Sequence, residues 1–169
     1  MAQVPPPSSY RGRVIRCAAL DEMSPRELYD VLALRVAVFV VEQECAYAEL
    51  DGRDLEPSAV HWWSRDDDGV LTACLRVLVE PGVGHRIGRM VSAPAARGSG
   101  AAATLMRAAL ATLPGPVVLG AQVRVRGFYE RLGFAVDGPE YDEDGIPHVP
   151  MLRGRTGSLQ AQGGSSTVC

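Results

Sequence analysis

Lysine is absent from this sequence of 169 residues, and all 17 of its basic residues are arginines. A Walker-A phosphate loop is therefore excluded, because that motif places a lysine on the β- and γ-phosphates. A lysine Schiff base and the lysine anchor of pyridoxal phosphate are excluded for the same reason. Any chemistry of this chain proceeds without an internal lysine.

Cysteine and histidine are scarce and widely spaced. No two cysteines form a C-x-x-C pair, and no histidine lies close to another, so the spacings typical of zinc sites are missing and we expect no metal. The residues concerned are Cys17, Cys45, Cys74, Cys169, His61, His85 and His148. Because no signal sequence is recognised, we expect reduced cysteines rather than a disulfide framework.

Long apolar runs and a strong positive charge are also lacking. No run approaches the roughly 20 residues that span a bilayer. The formal net charge is −3, which argues against a general nucleic-acid binder. The N-terminal segment has no apolar core of the kind that secretory signals carry. We therefore expect a cytoplasmic protein with neither a nucleic-acid nor a membrane partner.

The chain length suits one domain with a substantial core. Residues 1–10 contain three consecutive prolines, and residues 155–169 are rich in glycine and serine. Both compositions favour disordered tails. The sequence thus predicts one folded domain over residues 11–154.

The predicted elements alternate between strands and helices. Ser24, Pro25 and Glu27 have the pattern of an N-cap, a first helical position and a capping box, which predicts a helix to about residue 40. Further helices are predicted over 100–113 and 124–132, and strands over 13–19, 60–65, 70–79, 85–92, 117–121, 134–136 and 148–152. In the strand over 70–79, apolar residues alternate and share one face: Leu71, Ala73, Leu75, Val77 and Val79. The fold class is α/β (α+β), with a mixed and mostly antiparallel sheet of six to seven strands flanked by helices.

A glycine-rich turn between a predicted strand and helix is the most informative segment. Small residues allow the backbone to approach a ligand, and the free N–H groups at a helix start favour an anion such as a phosphate. An ordinary tight turn is the alternative. Gly98-x-Gly100-x-x-Ala103 also fits the dinucleotide fingerprint, but the acidic residue expected about 20 positions later is missing. The segment comprises Arg97, Gly98, Ser99, Gly100, Ala101 and Ala102.

Two spaced motifs resemble those of the GNAT acyl-CoA N-acyltransferases. Arg97-x-x-Gly100-x-Ala102 is similar to the Q/R-x-x-G-x-G/A signature of that family. Gln122-x-x-Val125-x-x-x-Tyr129-x-x-x-Gly133-Phe134 resembles its N-x-x-A-x-x-x-Y-x-x-x-G-F segment, with Gln122 in place of Asn and Val125 in place of Ala. The runs LRVAVFVVEQ, LDGRDLE, GRMVS, LGAQ, FYERLGF and DEDGIPH resemble the ElaA-like branch. The resemblance covers residues 14–153.

The resemblance implies an N-acetyltransferase that uses acetyl-CoA as co-substrate and no metal. It implies that the backbone of Met90 and Val91 binds the pantetheine arm and polarises the thioester, and that Tyr129 protonates the departing thiolate. Gln122 would lie against the cofactor or the adjoining helix. The pyrophosphate would be held by the amides of Arg97, Gly98, Ser99, Gly100, Ala101 and Ala102. The acceptor would be a small-molecule or peptide amine, and a homodimer is one alternative for the assembly.

The base that deprotonates the amine is left between two candidates, Glu42 first and His148 second. Covalent catalysis by Cys45 or Cys74 is a rival mechanism, although no base motif accompanies either thiol. A second candidate function is that of a non-catalytic module that binds acyl-CoA, and the departures at Gln122 and Val125 motivate it.

Charged residues collect in separate segments, which predicts an acidic acceptor side and a basic cofactor side. The acidic residues are Glu42, Glu44, Glu49, Asp51, Asp54 and Glu56, with a second group from Asp137 to Asp144. The basic residues are Arg86, Arg89, Arg97, Arg124 and Arg126.

Overall fold

The computed structural model describes residues 8–10 and 12–154, which form a nine-stranded sheet covered by helices. The strands are β1 Ser8–Tyr10, β2 Arg13–Ala18, β3 Val60–Arg65, β4 Leu71–Glu80, β5 Gly84–Ser92, β6 Val117–Gln122, β7 Ala135–Val136, β8 Tyr141–Glu143 and β9 Ile146–Arg153. Their order is β1-β2-β3-β4-β5-β6-β9-β7, with β8 paired to β9. Within the described residues every pairing is antiparallel except that of β5 with β6.

All seven predicted strands are present, and two short ones, β1 and β8, join them. The sequence predicts a disordered tail over residues 1–10, and the last three of these residues, Ser8–Tyr10, pair with β2. Residues 1–7 and the predicted tail over residues 155–169 lie outside the described residues. The mixed, mostly antiparallel α/β sheet predicted from the sequence is confirmed.

The first helix begins at its predicted capping box. Ser24 Oγ accepts a hydrogen bond from the Glu27 amide at 3.3 Å, and the Glu27 carboxylate accepts one from the Ser24 amide at 3.0 Å. Helix α1, Pro25–Arg35, does not continue as an α-helix to residue 40. It passes into a π-helical segment, Val36–Glu42, whose wider i→i+5 hydrogen bonds a 3.6-residue pattern does not predict.

Two further helices follow the middle strands. Helix α2 spans Ala101–Leu110, and helix α3 spans Arg126–Glu130 after a 3₁₀ turn over Val123–Val125. No helix in the described part of the chain is both long and apolar enough to cross a membrane.

The sheet separates two cores. Alternating side chains of β3 and β4 point to opposite faces, so that Trp62 and Leu75 pack against α2 whereas Trp63 and Cys74 pack against α1. Leu71 packs with the α1 core, contrary to the single face predicted for β4. A register shift at Ser64 and Arg65 accounts for this, because one slipped residue reverses the face of a side chain.

Candidate active site

Strands β5 and β6 diverge after a short parallel contact. They pair only at His85 with Val117 and at Arg86 with Val118, although β5 continues to Ser92 and β6 to Gln122. An opening therefore forms between the carboxyl ends of two neighbouring strands, which is a common position for a ligand in α/β sheets.

A β-bulge shapes the edge of this opening. Between the pairs Cys74–Val91 and Arg76–Gly88, β5 contains one residue more than β4. Arg89 carries the distortion, with a φ of +53° in the left-handed region. The bulge bends β5 away from β6 and changes the direction of the Met90 and Val91 amides.

The glycine-rich segment lies where the sequence places it, at the start of α2. Gly98 and Gly100 have φ values of +75° and +82°, which favour glycine. Gly100 is the N-cap, and its carbonyl accepts a hydrogen bond from the Thr104 amide at 3.0 Å. The first amides of α2 thus have no carbonyl in the preceding turn of the helix, and the helix dipole adds partial positive charge there.

A cavity of about 830 Å³ opens beside these elements. This volume lies within the range of small-molecule and cofactor sites. Of the predicted site residues, seven line it: Glu42, Met90, Val91, Arg97, Gln122, Tyr129 and His148. The lining does not include Gly98, Ser99, Gly100, Ala101 or Ala102, which lie next to Arg97 at the start of α2.

Tyr129 combines a core position with a place on the cavity wall. Its side chain is 8% exposed, and Phe128 and Phe134 contact its ring edge to face, with centroids at 5.0 Å and 6.0 Å. Burial raises the pKa of the Tyr129 hydroxyl to about 12. The hydroxyl is therefore protonated at neutral pH and can act as a hydrogen-bond donor.

The end of the π-helical segment connects the two sides of the opening. Glu42 accepts a charged hydrogen bond from Arg97 Nη2 at 2.7 Å, and Gln43 accepts one from Gln122 Nε2 at 3.0 Å. Gln122 Oε1 in turn accepts from Arg124 Nε at 2.9 Å. The hydrogen bond from Arg97 lowers the pKa of Glu42, which makes this carboxylate a weaker base.

His148 lies on β9 in register with Gln122 of β6. Its imidazole stacks on the Tyr141 ring, with centroids 5.7 Å apart. His148 Nδ1 lies 2.8 Å from the carbonyl oxygen of Ile146, and Nε2 lies 3.8 Å from Glu143 Oε2. The structure thus places both candidate bases on the wall of one cavity, each with a different partner.

A buried ion network, which sequence reasoning missed, reaches the cavity wall through Asp51, Arg76 and Arg89. Arg35, 1% exposed, donates to both Asp54 carboxylate oxygens at 2.8 and 3.1 Å and also contacts the Glu49 carboxylate. Arg76 donates to Asp51 at 2.8 Å and to Asp54 at 2.9 Å. The network comprises Arg35, Glu49, Asp51, Asp54, Arg76 and Arg89, three cations and three anions.

Arg89 connects the bulge of β5 to this network. Its guanidinium lies 2.9 Å from Glu49 Oε2 and 3.0 Å from Asp51 Oδ2, and 5.6 Å from the centroid of the Tyr47 ring. Arg76, whose hydrogen bond dominates, holds the pKa of Asp51 well below its usual range. The bulge is thus fixed by ion pairs as well as by strand pairing.

These pairings correct the prediction of an acidic acceptor side. Glu49, Asp51 and Asp54 are neutralised by arginines that lie far from them in sequence. Several arginines of the predicted basic side are paired as well: Arg86 with Glu80, Arg89 with Glu49, Arg97 with Glu42 and Arg126 with Glu130. The charged segments of the sequence therefore form ion pairs rather than one acidic and one basic surface.

Within the described residues, no group of three or more histidine, cysteine or acidic side chains is arranged to hold a metal ion.

Comparison with known proteins assigns the chain to a family. The model of the acetyltransferase (GNAT) domain matches residues 20–153. A UPF0039 protein of Mycobacterium tuberculosis is 45% identical over 143 residues, which are 82% of this chain and 92% of that protein. Protein ElaA of Escherichia coli is 41% identical over 145 residues, 79% of this chain and 91% of ElaA.

Solved structures agree with the sequence relatives. A structure described as an acyl-CoA N-acyltransferase from Pseudomonas aeruginosa superposes on this chain with a TM-score of 0.76 at 41% sequence identity. The superposition covers 83% of this chain and 98% of the Pseudomonas chain. The structure of Escherichia coli ElaA gives a TM-score of 0.76 at 37% identity, with coverages of 82% and 97%. The diverging strands, the bulge and the glycine-rich helix start thus occur in a chain that belongs to the GNAT acetyltransferase family, in its ElaA-like branch.

Proposed function

We propose that this chain transfers an acetyl group from acetyl-CoA to a primary amine by direct attack within a ternary complex. The opening between β5 and β6 carries the proposal, because residues of both strands line the 830 Å³ cavity together with Arg97, which precedes α2. A molecule with an anionic end and a long thin arm fits such an opening. The thioester supplies the activated carbonyl, and the residues of this chain hold it.

The anionic end would be held by the glycine-rich segment. Amides at a helix start bind phosphates through their N–H groups and the helix dipole. Arg97 lines the cavity at this point and adds a guanidinium. The group assigned to the pyrophosphate comprises Arg97, Gly98, Ser99, Gly100, Ala101 and Ala102.

The arm would run along β5, where the bulge leaves the Met90 and Val91 amides beside the opening. A backbone N–H directed at the thioester oxygen stabilises the negative charge that develops there during attack. Tyr129, on the facing wall, would give its hydroxyl proton to the departing thiolate. Its pKa, raised by burial, keeps that proton in place before the reaction.

Direct attack is favoured over a covalent cysteine intermediate. Burial raises the pKa of the Cys74 thiol to about 12, so the nucleophilic thiolate is scarce at neutral pH. Cys45 donates its thiol hydrogen to the Asp144 carbonyl oxygen, an acceptor that does not deprotonate the thiol, at 3.4 Å.

A non-catalytic module that binds acyl-CoA is the second candidate, and Gln122 favours it. Both polar atoms of its amide are already occupied, by Gln43 and by Arg124. If these bonds persist with ligand present, Gln122 contributes nothing to the reacting atoms.

The first experiment measures binding of acetyl-CoA by thermal shift, with ATP and NADH as comparison ligands. A ligand at 100 times its Kd stabilises the folded state by about 2.7 kcal/mol, which raises the Tm of a domain of this size by several degrees. Stabilisation by acetyl-CoA alone supports the site. No shift in a folded sample contradicts it.

The variant Y129F then separates the two candidate functions. For an enzyme, amine-dependent release of CoA falls by roughly 10²- to 10⁴-fold, the usual loss for a general acid, while acetyl-CoA affinity is retained. The matched control is Y29F, since Tyr29 is 70% exposed on α1 and does not line the cavity. Equal release by Y129F and the control would contradict the role of Tyr129, and binding without release for any amine would favour the module.

The acceptor is proposed to be a small-molecule or peptide amine. The cytoplasmic location and a homodimeric assembly stay predictions.

A further inference from the structure

We propose that His148 Nε2 accepts the proton of the acceptor amine and that Glu143 is the positioning residue that stabilises the resulting imidazolium. The inference rests on the proposed amine acetylation and names the base that this reaction requires. It reverses the order that the sequence favours, in which Glu42 precedes His148.

The hydrogen bond to Ile146 fixes the tautomer of His148. A carbonyl oxygen can only accept, so the 2.8 Å contact requires the proton to be on Nδ1. Nε2 then carries the free lone pair in the neutral ring. The imidazole is therefore held in the form that a general base needs, with its basic nitrogen away from the backbone.

Two side chains of β8, one acidic and one aromatic, lie beside the His148 ring. The Glu143 carboxylate lies 3.8 Å from Nε2 and belongs to β8, whereas Tyr141 of the same strand stacks on the ring face. From β6, the neutral Gln122 lies in register with His148, and Gln122 Oε1 accepts a hydrogen bond from Arg124. The other charged residues on this part of the cavity wall are Arg86 and Asp144.

Gly120 keeps this arrangement in place. It faces the Tyr141 hydroxyl so closely that a methyl group added there would overlap the oxygen. The missing side chain in β6 thus leaves room for Tyr141 to lie over the strand and support the imidazole.

Glu42 is less suited to the task. Its carboxylate is bound by Arg97 at 2.7 Å, and that hydrogen bond lowers its pKa. A base held in an ion pair must break that pair to accept a proton. His148 has a free lone pair and an anion beside it, so proton uptake creates a favourable pair.

The protons balance in this scheme. One proton passes from the acceptor ammonium to His148 Nε2 and later to solvent. The free amine attacks the thioester carbon, the C–N bond forms and the C–S bond breaks. Tyr129 gives its hydroxyl proton to the thiolate, and the second proton lost from nitrogen restores that hydroxyl. The third proton of the ammonium stays on the amide.

The test compares wild type with H148Q and E143Q, using an alkyl primary amine between pH 5 and 8, the range in which histidines titrate. We expect H148Q to lose roughly 10²- to 10⁴-fold in kcat and to lose the acidic limb of the profile. We expect E143Q, which removes a solvent-exposed partner, to lose only about two- to fivefold in kcat. The matched control is H85Q, because His85 does not line the cavity.

Comparing two kinds of acceptor amine distinguishes a base from a residue that only supports the fold, because loss of structural support would impair both kinds equally. An arylamine or an acyl hydrazide is already neutral at pH 7, so its acetylation by H148Q should be impaired much less than that of an alkyl amine. Added imidazole should partly restore the alkyl-amine rate of H148G. Equal losses for both kinds of amine, without rescue, would overturn the proposal.

Nitrogen-15 spectra of the imidazoles test the tautomer without any turnover. The chain has three histidines, and the signals of His148 are those missing from H148Q. We expect protonated Nδ1 and unprotonated Nε2 in the neutral ring, and the opposite tautomer would overturn the proposal. If wild type releases no CoA with any amine, the proposed function fails. If it does and H148Q retains the rate and pH profile of wild type, only the present inference fails.

Discussion

The substitution R35M removes a buried cation from the ion network and should strongly destabilise the fold. Arg35 is 1% exposed and bridges the carboxylates of Asp54 and Glu49. Methionine fills similar space without a charge, so two buried carboxylates lose a partner. Breaking a buried pair from one side costs about 3–5 kcal/mol. At about 2–4 °C per kcal/mol for a domain of this size, the Tm should fall by roughly 6–20 °C.

The loss of stability in R35M should be larger at neutral pH than at acidic pH. Burial by itself raises the pKa of Asp54, but Arg35 and then Arg76 overcome this and hold it below the ordinary value. In wild type, Asp54 therefore contributes stability above the pKa of an unfolded aspartate, about 3.9, and loses it as the pH falls through the lower folded value. Without Arg35 the folded pKa rises. The deficit of R35M should then be largest at pH 7–8 and narrow as the pH approaches 4.

Thermal unfolding followed by circular dichroism at several pH values measures this deficit. R26M is the matched control, because Arg26 lies on the same helix and pairs with Asp30 at 3.0 Å but is 85% exposed. An exposed pair of this kind changes stability by less than about 0.5 kcal/mol. A similar loss in both variants, or a deficit of R35M that does not change with pH, would refute the reasoning.

Three further predictions test other contacts. G120A should lower the free energy of unfolding in urea by about 1–3 kcal/mol because its methyl group overlaps the Tyr141 hydroxyl. The second substitution Y141F should recover most of this stability, since it removes the hydroxyl and the next atom of the ring, Cζ, would lie 3.6 Å from the added methyl group. If the double variant recovers no stability, overlap with the hydroxyl is not the cause of the loss. Iodoacetamide at pH 8 should not label Cys74, because burial raises the pKa of its thiol to about 12. Labelling of Cys74 in the folded protein, detected by mass spectrometry, would contradict its burial. E42Q should bind acetyl-CoA more tightly by calorimetry because Arg97 is freed, with a gain that shrinks in salt, and an unchanged affinity would argue against this competition.

Local sequence signals predicted much of the fold. The capping box at Ser24 begins α1, and the seven strands over β-rich runs are all present. Features that depend on a side-chain partner distant in sequence are not predicted. Helix α1 ends at Arg35, whose side chain is bound by Asp54, 19 residues away, and neither the helix period nor the capping pattern encodes this partner.

The candidate site was predicted in part. Tyr129 lies on an apolar stripe that equally suits a core residue, and only the resemblance distinguishes the two interpretations; the structure shows a side chain that is both buried and on the cavity wall. The sequence favours Glu42 as base because it follows the first helix in the VVEQ run, and its ion pair with Arg97, 55 residues away, cannot be read from the sequence. The runs LRVAVFVVEQ and LDGRDLE could have indicated the network, since they contain Arg35, Asp51 and Asp54.

The arginines on the cavity wall would protect an activated acyl group, because their side chains do not react with it. Six of them line the cavity: Arg53, Arg76, Arg86, Arg89, Arg97 and Arg124. A guanidinium stays protonated and is a poor nucleophile, whereas a lysine in the same ion pairs could lose a proton and attack a nearby thioester. Because the chain has no lysine, its walls offer no side-chain amine to be acylated in place of the acceptor. The cationic hydrogen-bond donors of the cavity wall are thus present without the risk of self-acylation.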